Sequence, residues 1–118
     1  MGTIRVRAYL NTAEGSGGLP MGMMFGYEPD HGLMLVLDST VLATADDIAM
    51  CSRVFRLLNI GDDPEFGPVD PRATNYRAAG RRSLSVGDVV QVGRQFYSVD
   101  RVGFSQIEAP DPARIATP

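Results

Sequence analysis

The chain has 118 residues, a net charge of −3, and 44% apolar against 21% charged residues. That is enough for one domain with its own core, and too apolar for an intrinsically disordered segment. The negative balance excludes a surface that attracts nucleic acid everywhere, so any such role must be local. In chain order, Ile4, Val6, Ala8 and Leu10 alternate with Arg5, Arg7 and Tyr9. That period of two predicts a half-buried strand with one apolar and one cationic face. Residues 11–20 are polar and glycine-rich, a loop. Residues 21–27 (MGMMFGY) are apolar but broken by glycines, and the pattern leaves their state open. Residues 28–32 read as a turn, and residues 33–37 as a buried strand closed by Asp38 and Ser39.

The clearest helix starts after Thr44, with Asp46 and Asp47 placing negative charge at the positive end of its dipole. Thr44 and Asp47 resemble a capping box. Ile48, Cys51, Phe55 and Leu58, with Val54 beside them, recur at helical spacing on one apolar face. Arg53 and Arg56 lie towards the C-terminal half, and Asn59 with Gly61 supplies the stop. Residues 61–80 hold three prolines and no periodicity, so they read as a long loop. Residues 89–92, 95–99 and 104–108 read as three strands joined by turns at Gly93-Arg94 and Val102-Gly103. Residues 109–118 contain three prolines and read as a disordered tail. The expected fold is therefore α+β: one domain over residues 1–108, with a small, twisted, mainly antiparallel sheet, open or partly closed as a barrel, packed on one main helix.

The chemistry is local. Arg72, Arg77, Arg81 and Arg82 fall within eleven residues that include no acidic group. With Tyr76 among them as a stacking surface, they form the candidate nucleic-acid or anion site. The alternative is that these arginines pair with Asp62, Asp63, Glu65 and Asp70 and tie a loop together. All eleven cations are arginine, which a GC-rich genome explains and which bidentate phosphate recognition also favours. Met21, Met23, Met24 and Phe25 form a second candidate, an adaptable apolar surface for a protein partner or a homodimer contact.

No catalytic set assembles. His31 is the only histidine and lies in a turn, where exposure to water is expected. An enzymatic reading requires it to meet Asp30, Asp38 or a serine. Cys51 sits on the apolar helix face, where a thiol behaves as a small hydrophobe. The acidic run at residues 62–70 lacks the ligand alternation of a calcium loop. The methionines have no cysteine or histidine nearby to make a copper site. No metal and no cofactor are expected. One cysteine makes no internal disulfide, and no run approaches the ~18–20 apolar residues of a membrane span. A cytoplasmic protein without membrane contact is the resulting expectation.

Phe55, Leu58-Asn59, the run RRSLSVGDVVQV and the later YSVDRVGF resemble the YodL-like domain over about residues 54–104. That resemblance implies a small accessory protein of a bacterial mobile element, and brings no catalytic residues with it. Together these readings predict a non-enzymatic binding protein that grips nucleic acid or an acidic partner through its arginines. The alternatives are an interaction or inhibitor module using residues 21–27, its partner a host or element protein, and a small enzyme.

Overall fold

The computed structural model describes residues 2–43 and 46–118. Six strands form one mixed, curled sheet resembling a half-barrel. They are β1 (Thr3–Asn11), β2 (Leu33–Leu42), β3 (Val89–Val92), β4 (Gln95–Val99), β5 (Phe104–Ile107) and β6 (Ile115–Ala116). Their spatial order is β5-β4-β3-β1-β2-β6. Every neighbouring pair is antiparallel except β2 with β6. Three helices accompany the sheet: α1 (Met21–Phe25), α2 (Asp47–Ile60) and α3 (Pro71–Ala78). The expected α+β class is what the chain adopts.

Alternation along β1 decides what each face of the sheet meets. Val6, Ala8 and Leu10 join Val90, Val92 and Tyr97 in the main core, with Met50, Cys51, Val54 and Leu58 of α2. Each of the larger buried apolar side chains contributes about 1.5–3 kcal/mol relative to exposure. The buried face of α2 is turned from the expected one: Met50 belongs to it, whereas Ile48 is exposed. On the opposite face, Arg5 and Arg7 do form the expected cationic strip, but both bond Asp38 on β2, at 2.7 and 3.2 Å. That cross-strand pairing carries β2 past its expected end at residue 37, since Arg7 lies directly opposite Asp38. Beyond a register shift at Ala8/Tyr9, the same face turns apolar. There Tyr9, Leu33 and Val89 make a second, smaller core.

Two further expectations change. Residues 61–80 are not one loop, because a 3-10 turn forms at Pro64–Phe66 and α3 follows at Pro71–Ala78. Residues 109–118 are not a free tail, because a turn at Pro112–Arg114 leads into β6 alongside Leu33 and Met34. Each of these turns starts at an Asp-Pro pair. Asp63, Asp70 and Asp111 accept from the backbone N–H two residues on, at 2.9–3.0 Å, with proline in the first helical turn. Prolines read as breakers are here helix starters. Thr44, the expected cap of α2, lies outside the described residues; Asp46 caps that helix by accepting from the Ala49 N–H at 2.8 Å.

Candidate functional site

The four arginines go to four separate places. Arg72 donates to both carboxylate oxygens of Asp70, at 3.1 and 2.8 Å, and to the Ser39 hydroxyl at 3.1 Å. Those bonds hold the Asp70 carboxyl below its ordinary range. Arg77 donates to the carbonyls of Leu58 and Asn59 at 2.9 and 3.2 Å, and to Ser83 Oγ at 3.0 Å. It therefore caps the C-terminal end of α2, where orphan carbonyls and the dipole both favour a cation. Asp62 stands 3.8 Å from it. Of the internal pairs considered from sequence, Asp70–Arg72 and Asp62–Arg77 thus form, whereas Asp63 serves its own turn. Arg81 donates to the Met34 thioether at 3.7 Å. Tyr76 is a core residue whose hydroxyl donates to the Arg82 carbonyl at 2.5 Å, so its ring is no exposed stacking platform.

Arg82 belongs to a polar knot that sequence reasoning missed. Asp88 is completely buried (0% exposed). It accepts two bonds from Arg82 at 2.7 and 2.8 Å, and one each from the backbone N–H of Asn11 and Ser85, both at 2.8 Å. A buried carboxylate is tolerable only when paired and fully hydrogen-bonded, as this one is. The same bonds raise the Arg82 guanidinium further above its ordinary value. Asn11 extends the knot: its amide donates to the Gly87 carbonyl and to His31 Nδ1, both at 3.0 Å, and its side-chain oxygen accepts from Ala13 N–H. The only outward signal of this arrangement was the SVGD phrase, in which a turn places an acid just before a strand.

Upon this knot sits α1. Gly87 has φ +89°, a conformation that favours glycine, and a Cβ there would fall 2.4 Å from the Gly22 carbonyl oxygen. A Cβ on Gly22 would likewise meet the Asn11 amide at 2.5 Å. Gly22 is buried, so the two backbones touch directly. With one side of this short helix pressed onto the knot, the others face out: Met23, Met24 and Phe25 are 45, 48 and 65% exposed. Leu19 is exposed beside them in sequence, whereas Met21 is half-buried, its sulfur against Gly15. Glu14 and Glu28, on either side of the segment in sequence, are exposed acids.

His31 is not exposed as expected; it is 7% exposed. Its Nδ1 accepts from the Glu28 N–H at 3.2 Å as well as from Asn11. That nitrogen is committed to holding the turn, and among the described residues no aspartate or serine side chain bonds the ring. Cys51 is buried, and desolvation pushes its thiol up to about 12, the opposite of an activated nucleophile. Among the described residues, no three His, Cys, Asp or Glu side chains converge as a metal site. Among the same residues, no helix is long and apolar enough to cross a membrane. No protein-family model, no curated protein and no solved structure matches this chain.

Proposed function

We propose that this chain is a non-catalytic protein-interaction module that inserts α1 into an apolar cleft on a partner protein. The observation that carries the reading is the outward display of Met23, Met24 and Phe25 on a helix whose other side is clamped to the Asp88 knot. A free apolar segment would fold back onto the protein; this one is held out by backbone contact. Methionine adapts to irregular pockets, and a phenylalanine supplies the large anchor typical of interface centres. Glu14 and Glu28 favour a partner whose cleft has a basic rim. The nucleic-acid reading draws weaker support, because Arg72, Arg77 and Arg82 already serve internal partners. The YodL-like resemblance over residues 54–104 supports an accessory role on a bacterial mobile element, with a host or element protein as partner.

The test is a photo-crosslinking amino acid placed at position 24, and at position 102 as an exposed control. One discrete protein adduct from position 24 is expected, lost in Phe25→Asp and retained in Arg81→Ala. No adduct from position 24, the same adduct from position 102, or loss of the adduct in Arg81→Ala would overturn the reading.

A further inference from the structure

β2 pairs with β1 along its length, but on its outer edge β6 meets only Leu33 and Met34. Among the described residues, no strand lies beside that edge from Leu35 to Leu42. A strand paired on one side turns the N–H and C=O of alternate residues outward, a template for one more strand. The open edge faces a groove rather than a flat surface. Between β2 and α3 lies a space of about 280 Å³, with Val36, Leu37 and Asp38 on the strand side and Asn75, Tyr76 and Ala79 on the helix side. A guanidinium stands at each end: Arg72 bonds Ser39, and Arg81 bonds the Met34 sulfur.

We infer that this groove takes an extended acidic peptide from a partner protein, added to β2 as a further strand. Two features select that occupant. Of the two arginines at opposite ends of the groove, Arg72 is already paired with Asp70, whereas among the described residues Arg81 has no carboxylate partner. The one acid in the groove, Asp38, is already neutralised by Arg5 and Arg7. The same edge also seats β6 in parallel immediately before the open stretch, so added strands already belong to its architecture. Backbone bonds along β2 would supply affinity and register, and alternate side chains of the peptide would meet α3. This surface does not involve the apolar face of α1.

The test is a titration of the ¹⁵N-labelled full chain with a hexapeptide alternating valine and glutamate, followed by amide shifts. Shifts clustered in residues 35–40 and 72–79 are expected, with binding about fivefold weaker in Arg81→Glu. They should vanish when the peptide backbone is N-methylated, which removes its donors, and persist in Phe25→Asp. Ala79→Trp, an exposed change that fills the groove, should also abolish them. Silence along β2, equal binding by the N-methylated or the lysine-substituted peptide, or shifts confined to residues 19–25 would overturn the inference. So would a dimer of the chain that occupies this edge and dissociates in Arg81→Glu. A silent β2 together with an intact position-24 adduct would remove the groove and leave the α1 reading standing.

Discussion

Residues 72–82 and residues 19–25 use opposite kinds of side chain in opposite ways. The first stretch carries four cations, and three of them hold the chain together: Arg72 on Asp70, Arg77 on the end of α2, Arg82 on buried Asp88. The second is apolar, and four of its large side chains, Leu19, Met23, Met24 and Phe25, are exposed. Charge in a sequence marks where a guanidinium is, not whether it is available. A helix end with orphan carbonyls and a carboxylate carried into the interior by a turn each create a demand that a nearby arginine fills. Conversely, a five-residue helix pressed on one side against glycine backbone cannot bury its remaining faces.

The hardest test of this contrast is Asp88→Ala. It strips Arg82 of its partner and orphans the Asn11 and Ser85 N–H groups, and a loss of about 3–5 kcal/mol is expected by denaturant unfolding. An effect under about 1 kcal/mol would mean that Arg82 is not structural. Gly87→Ala comes next. It imposes an unfavourable φ and a clash with Gly22 backbone, costing about 1–3 kcal/mol, and faster amide exchange in residues 21–26 should accompany it. Unchanged exchange there would show that α1 is not docked on the turn.

Much of the fold was legible because periodicity reports burial directly. The alternation at Ile4–Leu10 and the strands around Gly93-Arg94 correspond to β1, β3 and β4. The α3 helix was hidden because its only buried anchors are Ala73 and Tyr76, too few for a visible period, and because its proline was one of three that made residues 61–80 read as a loop. Its signal was the Asp70-Pro71 pair. β2 was cut short because Asp38 looked like a terminator, and only a partner strand's arginines make it a sheet residue. The knot was illegible for a similar reason: Asn11, Gly22, His31 and Asp88 are far apart in sequence and meet only after β1 and β3 pair.

Smaller effects sharpen the picture by pH. Asp38 and Asp70 are held below the ordinary carboxylate value of 3.8 by their bonds to Arg5 and Arg72. The stability they add is therefore complete above that value and lost as pH falls through their lower folded values. Cys51 and Tyr97 are raised to about 12 by burial. Their contribution is complete below 9.0 and 10.0 respectively and lost as pH rises towards 12. Thermal unfolding should thus show a plateau from about pH 5 to 8 with a fall on each side. Asp38→Asn should soften the acid limb, and an unaltered limb would contradict the assignment. Smallest of all, Phe25→Asp should change stability by under about 0.5 kcal/mol, as an exposed position does. A larger loss would mean that Phe25 is core.

The most direct measurement is the salt dependence of affinity for the partner identified by the position-24 adduct. Four arginine contacts to phosphates would weaken binding about a hundredfold between about 50 and 200 mM salt. The proposed contact is an apolar helix rather than free guanidinium groups, so a change of less than about threefold is predicted. A steep fall, abolished by Arg81→Ala, would contradict it.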